Sequence, residues 1–136
     1  DMNTTYFTNM VAGHVFGVGS QPQFPSEYYI GLSSTEPSGD GANVTEPSSS
    51  GSGYTRVKLD SLSGPNNGVV QNTNDVSFPK ATSDWFPAGT PATHYVVFDA
   101  LDGGNLIVYG ALKKPRTIES DTYLSFPSGE FTVSVV

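Results

Sequence analysis

The sequence predicts a mainly β protein, an antiparallel β-sandwich or jelly-roll-like domain of seven to eight short strands with one N-terminal α-helix. Turn formers are abundant, with 15 glycines and 10 prolines among 136 residues, and such a composition divides a chain into short segments. Between these turns, apolar and polar residues alternate repeatedly, which is typical of half-buried strands. Only one segment shows helical periodicity.

The predicted helix lies in residues 3–16. Its apolar side chains recur at helical spacing and form a single stripe: Phe7, Met10, Val11, His14 and Val15. Asn3 or Thr4 can cap its start, and Gly17 and Gly19 end it. The stripe packs either on its own domain or on a partner subunit, and we treat these five residues as the candidate partner interface.

The strands are expected where alternation or β-rich composition is clearest. The predicted segments are 28–32, 54–59, 69–78 (one or two strands), 93–98, 105–111, 122–127 and 131–135. Residues 63–68 and the basic segment Lys113-Lys114-Pro115-Arg116 are expected as turns. The pair Gly103-Gly104 between two β-rich runs indicates a hairpin. Both runs are apolar on both faces, so we expect central strands covered by a second sheet on one side and by the helix on the other.

The chain is expected to have two parts. Residues 1–19 form a helical element for docking or oligomerisation, and residues 20–136 form the β-sandwich domain. A Gly/Ser/Pro-rich loop at 33–53 has almost no apolar side chains, so we expect an open loop or a binding loop outside the core. The tetrapeptide Thr-Glu-Pro-Ser occurs in it twice, at 35–38 and 45–48, which is too short to establish a repeat.

The amino-acid composition excludes some classes of functional site and disfavours some classes of partner. The absence of cysteine excludes disulfides, zinc–thiolate sites and cysteine nucleophiles. A net charge of −7 disfavours nucleic acid and anionic membranes as partners, and no segment approaches the roughly 20 apolar residues of a membrane span. The first residues lack the basic and apolar regions of a signal peptide. No catalytic or cofactor-binding motif is found, so we expect no enzyme activity and no cofactor.

A few residues are weaker candidates for binding. Trp85 and Phe86 lie in a proline-flanked segment, where aromatic rings either stack on sugars or anchor the loop to the core. Asp99 and Asp102 offer oxygen ligands for calcium, but the same residues are ordinary in hairpin turns. His94 opens a predicted central strand and is expected to be a packed, hydrogen-bonded residue. A glycan hydrolase would need paired carboxylates about 5 Å apart, and no acidic residue here has surroundings that indicate such a pair.

Short motifs follow one another along the chain in a particular order: Ser34-Thr35-Glu36-Pro37, Gly53-Tyr54-Thr55-Arg56, Val76-Ser77-Phe78-Pro79, Asp84-Trp85, Phe98-Asp99-Ala100, Gly103-Gly104-Asn105-Leu106 and Phe131-Thr132-Val133. This order resembles a family of small tailed-bacteriophage virion proteins, often labelled phage tail fibre protein, over residues 3–136. Segment 86–92 is longer than the usual link in that family, so a site formed by it would be particular to this protein.

The resemblance implies a virion component assembled in the host bacterial cytoplasm, without catalytic activity. It leaves open whether the protein decorates the capsid as a head fibre or belongs to a tail fibre or baseplate. The expected partners are other virion proteins and further copies of the same chain, with a trimer favoured. The alternative is a host-recognition module that binds bacterial surface glycan through the 33–53 loop and residues 85–91. No binding residues of the family can be carried over to this sequence.

Overall fold

The computed structural model describes residues 2–20 and 23–135. Residues 1, 21, 22 and 136 lie outside these described ranges. Residue 1 belongs to the predicted helical element, and the other three belong to the predicted β-sandwich domain. The described residues form one helix and ten strands: β1 (Met2–Asn3), α1 (Thr5–Phe16), β2 (Tyr29–Ser33), β3 (Val57–Lys58), β4 (Leu62–Asn66), β5 (Val69–Asn72), β6 (Val76–Ser77), β7 (Ala92–Phe98), β8 (Leu106–Arg116), β9 (Ser125–Phe126) and β10 (Thr132–Ser134). Within these residues, α1 is too short to cross a lipid bilayer.

The strands form three antiparallel sheets. The largest has the order β1-β8-β7-β2-β3, a second has the order β10-β5-β4, and β6 pairs with β9. The predicted class, mainly β with one N-terminal helix, is confirmed. The strands outnumber the predicted seven to eight because several are only two residues long, and so brief an alternation leaves no readable pattern in the sequence.

The central strands are covered on both faces, as predicted. Tyr95 and Val97 of β7 face the main core, whereas Val96 and Phe98 face a second apolar cluster on the opposite side of the sheet. The cover of this second cluster differs from the prediction. Val44, from the loop after β2, packs against it, while the helix places Phe7 against the main core.

Two hairpins, one with a seven-residue loop between β7 and β8 and one with a two-residue turn between β4 and β5, organise the sheets. The β7–β8 turn contains Gly103 and Gly104, both with positive φ, and the Asp99 carboxylate accepts a hydrogen bond from the Asn105 backbone N–H at 2.7 Å. The β4–β5 turn is formed by Asn67 and Gly68 with φ values of 54° and 79°, the left-handed conformation that such hairpins require. Residues 63–66, predicted as part of the turn at 63–68, therefore belong to strand β4 beside β5.

The predicted basic turn at 113–116 is wrong, because these residues continue β8 as far as Arg116, which pairs with Ala92. The other neighbour of β8 is β1, which pairs only with Val108 and Tyr109. This end of β8 is therefore an open sheet edge. Lysine and proline are common at such edges because they deter pairing with foreign strands, and the same residues resemble a turn in the sequence.

Helix α1 begins at a buried cap. Thr4 is almost fully buried, and its Oγ1 accepts a hydrogen bond from the Phe7 N–H at 3.2 Å. The same hydroxyl lies 2.7 Å from the Leu106 carbonyl oxygen in β8, to which it donates. This threonine both caps the helix and attaches its start to the central sheet.

Candidate functional site

The predicted helix stripe is only partly used by the protein's own core. Met10 is buried, and Phe7 and Val11 are half-buried. His14 stacks on Phe24 with ring centroids 4.1 Å apart, whereas Val15 is 67% exposed. The helix therefore docks on its own sheet through one side of the stripe and leaves the other side at the surface.

The exposed side of α1 borders a surface groove of about 250 Å³, which we call the helix groove. Phe7, Val11 and Val15, spaced four residues apart, lie along it together with Phe16 and Val135. Phe16, the last residue of α1, is 76% exposed. The structure thus brings together three of the five predicted interface residues and adds Phe16 and Val135. The sequence pattern missed Phe16 because it lies one position beyond the stripe.

A second depression, which we call the apolar cavity, adjoins the helix groove. It has a volume of about 140 Å³, is lined by Leu62, Val70 and Val133 among others, and shares Phe7 and Val135 with the groove. Among the described residues that line the groove and the cavity, none is charged. In a chain with a net charge of −7, this face is an uncharged region on an otherwise acidic molecule.

The 33–53 loop is folded rather than open. Thr35 Oγ1 donates to the Asn43 carbonyl oxygen at 2.7 Å, and the Thr45 N–H donates to Ser33 Oγ at 3.0 Å. Short polar side chains readily form such bonds to nearby backbone groups. The prolines of both Thr-Glu-Pro-Ser tetrapeptides, Pro37 and Pro47, are buried. The loop is thus held by polar contacts that leave no hydrophobic pattern in the sequence.

A buried polar cluster, which we call the Arg56 cluster, joins this loop to the sheet. Glu46 forms a two-pronged ion pair with Arg56, with Nη2–Oε1 and Nε–Oε2 distances of 2.7 and 3.0 Å. The Tyr54 hydroxyl donates to Glu46 Oε2 at 2.6 Å. Burial raises the pKa of Tyr54, and the nearby Glu46 carboxylate raises it further. Its hydroxyl therefore stays protonated and remains a donor at neutral pH. Sequence reasoning missed this cluster because Glu46 meets Arg56 only through the fold of the loop, and the other partners of Arg56, the carbonyl groups of Ala100 and Gly103, lie more than forty residues away.

Trp85 lies in the core and not at the surface. Its ring is 4% exposed, contacts Tyr54 and Phe78 edge-to-face, and its Nε1–H donates to the Ser52 carbonyl oxygen at 2.8 Å. This geometry fits the core-anchor alternative and leaves no open indole face for a sugar ring. Phe86 is also buried, but it borders a surface pocket of about 250 Å³ formed with residues 87–90.

The remaining candidates have structural partners. The Asp99 carboxylate accepts hydrogen bonds from the Asn105 backbone and side chain, as expected for hairpin chemistry. His94 Nδ1 lies 2.8 Å from Thr93 Oγ1 within β7. Within residues 2–20 and 23–135, no three histidine or acidic side chains come together as a metal-binding group.

The fold and the uncharged apolar face together define a β-rich structural module with a surface suited to contacts with other proteins. A comparison with protein-family models matches residues 2–134 to the family described as podophage GP4 fiber I protein gp80. The chain belongs to this family, and the predicted resemblance to phage fibre proteins is confirmed. A search of curated proteins found no match.

Proposed function

We propose that the protein is a non-enzymatic component of a phage particle surface that assembles as a homo-oligomer, with a trimer favoured. The observation that carries the assembly proposal is the uncharged helix groove, where Val15 and Phe16 are left largely exposed. Contiguous exposed apolar surface typically marks a protein interface. Family membership supports a fibre role. Many copies on one particle would gain avidity from individually weak contacts.

Two positions on the particle fit this proposal, a capsid decoration or head fibre and a tail fibre or baseplate component. An antibody against the folded protein, applied to intact particles and imaged by electron microscopy, tests both. Label on the capsid would support the first position, and label at the tail would support the second. Intact particles that contain the protein but bind no antibody would contradict a surface position.

Changing Val15 to serine should weaken self-association at least tenfold, because a largely exposed apolar side chain of the helix groove is replaced by a polar one. Sedimentation velocity over a range of protein concentrations measures the effect. Asn9→Ser is the matched control, since Asn9 is exposed on the same helix but does not line the groove. Identical association of both variants would contradict assembly through this groove.

A glycan-binding role is the second candidate, and the pocket beside Phe86 favours it. Its lining residues include the acidic Asp84 and Glu119 and the hydroxyl-bearing Thr90 and Thr117, residue types that can hydrogen-bond sugar hydroxyls. Residues 86–90 of its lining belong to segment 86–92, which the sequence resemblance indicates to be longer than the usual link in the family. Trp85 supports the segment from the core in this proposal and does not contact the sugar.

Filling this pocket should remove glycan binding without disturbing the fold. Ala88 is exposed at its border, so Ala88→Trp is expected to reduce binding of the labelled protein to host cells at least tenfold. Ala88→Ser, which leaves the pocket open, is the control. The glycan role fails if the wild-type protein does not bind host envelopes or if Ala88→Trp binds as well as Ala88→Ser.

A further inference from the structure

We infer that Phe16 of one copy fills the apolar cavity of a second copy, so that successive copies are joined knob into hole. The inference rests on the proposed self-assembly and deepens it, because it names the two surfaces that meet. It predicts a contact in which Phe16 of each copy enters the apolar cavity of a neighbouring copy.

The knob is defined by the end of α1. Phe16 is the last helical residue, and Gly17 ends the helix in the left-handed conformation with φ of 66°. The Phe16 side chain remains 76% exposed, although a phenylalanine ring is among the side chains that gain most from burial. The chain therefore leaves a large apolar ring at the surface, at the rim of an uncharged groove.

The hole matches this ring in size and chemistry. The apolar cavity has a volume of about 140 Å³, and an engineered protein cavity of about 150 Å³ lined by similar side chains binds benzene. The side chain of Phe16 ends in the same six-membered ring. Leu62 and Val135, each 43% exposed, lie where the cavity meets solvent, so its walls are accessible from outside.

The occupant is a second copy for two reasons. Phe16 lines the helix groove but not the apolar cavity, so a chain does not fill its own cavity with its own ring. Copies with a net charge of −7 repel one another over most of their surface, and like charges placed across an interface would be unfavourable. The described linings of the groove and the cavity carry no charge, so copies can meet there without this cost.

The contact has a consequence for symmetry. Knob and hole are different patches of one chain, so the contact is either reciprocal, between two copies related by a two-fold axis, or head-to-tail, in which case it closes into a ring or continues as a filament. A closed ring of three copies leaves no knob or hole unused and agrees with the favoured trimer.

Two surface variants test the contact by mass measurement. Phe16→Ala removes the knob, and Leu62→Glu places a carboxylate at the mouth of the hole. Each variant alone should be monomeric by native mass spectrometry at concentrations where the wild type is assembled. An equimolar mixture should form a complex of two copies and nothing larger, because only one intact knob can enter one intact hole. An unchanged circular dichroism spectrum and a cooperative thermal transition would show that each variant is folded, although loss of association by itself lowers the melting temperature.

Cross-linking provides a second measurement that does not depend on affinity. The chain has no cysteine, so the double variant Val18→Cys, Leu62→Cys, which keeps the Phe16 ring and replaces the exposed Val18 two residues after it, should form disulfide-linked multimers under mild oxidation. Val18→Cys combined with Tyr123→Cys is the control, because Tyr123 is exposed but does not line the cavity. Multimers from the first pair and not from the control are the expected result.

Other outcomes would show whether the knob-into-hole contact or the proposed function is wrong. If Phe16→Ala keeps the wild-type mass while Val15→Ser dissociates, the knob contact is overturned and assembly through the helix groove stands. If the wild-type chain is monomeric at all concentrations but antibody labels the particle, the contact between copies is overturned, and another virion protein covers the groove. Assembled wild-type protein on particles that bind no antibody would overturn the surface role and not the contact.

Discussion

Replacing Arg56 with methionine is expected to lower the free energy of unfolding by about 3 kcal/mol, because removal of one partner leaves a charge in a mostly buried site. The guanidinium pairs with Glu46, whose side chain is 20% exposed, and Arg56 itself is 8% exposed. Arg56 Nη1–H also donates to the carbonyl oxygens of Ala100 and Gly103 at 2.8 and 2.7 Å. All of these bonds would be lost together.

A second contact adds to this effect. The Arg56 guanidinium carbon lies 3.7 Å from the centroid of the Phe98 ring, a cation–π geometry. Urea denaturation measures the loss of stability. Lys58→Met is the matched control because the Lys58–Glu27 ion pair is about half exposed on both sides, and solvent-exposed pairs of this kind contribute little to stability. Equal losses in the two variants would show that the Arg56 cluster does not hold the fold together.

Phe126→Ala should destabilise the protein by about 3–5 kcal/mol, the usual cost of emptying a buried phenylalanine site. Phe126 is 1% exposed, and its ring contacts Phe78 and Phe131 with centroid distances of 6.3 and 4.8 Å. Phe78 lies just after β6, Phe126 in β9 and Phe131 just before β10, so the cavity would loosen the contacts that β9 makes with both neighbouring segments.

Thermal unfolding checks this expectation. Tyr123→Ala is the control, because it removes an aromatic ring three residues away that is 74% exposed. Surface substitutions of this kind usually change stability by no more than about 0.5 kcal/mol. The interpretation of Phe126 as a central core residue would be wrong if both variants melted at the same temperature.

The sequence predicted those elements whose stability comes from local or periodic features. Helix α1, the β7–β8 hairpin and the left-handed turn at Asn67-Gly68 each follow from spacing or from the conformational freedom of glycine and asparagine. The apolar composition of β7 on both faces correctly indicated a covered central strand. Such features need no knowledge of distant residues.

The other features depend on contacts that no local pattern shows. Glu46 and Arg56 are ten residues apart, and the carbonyl groups that Arg56 binds lie more than forty residues further on. Gly31 lies within strand β2, so no turn explains the glycine at this position. It is required because a Cβ there would lie 2.5 Å from the Tyr54 hydroxyl. For the candidate site, the stripe predicted three groove residues, but Val135 joins them only through the tertiary fold.

Both ends of the described chain border the helix groove. Asn3, in the short strand β1, and Val135, just after β10, line it together with the helix. An affinity tag or fluorescent protein fused to either end would therefore emerge beside the face proposed for assembly and could obstruct it. Recombinant preparations meant to report the native oligomer should be made without terminal fusions, and an epitope for locating the protein on particles should be inserted in an exposed internal turn.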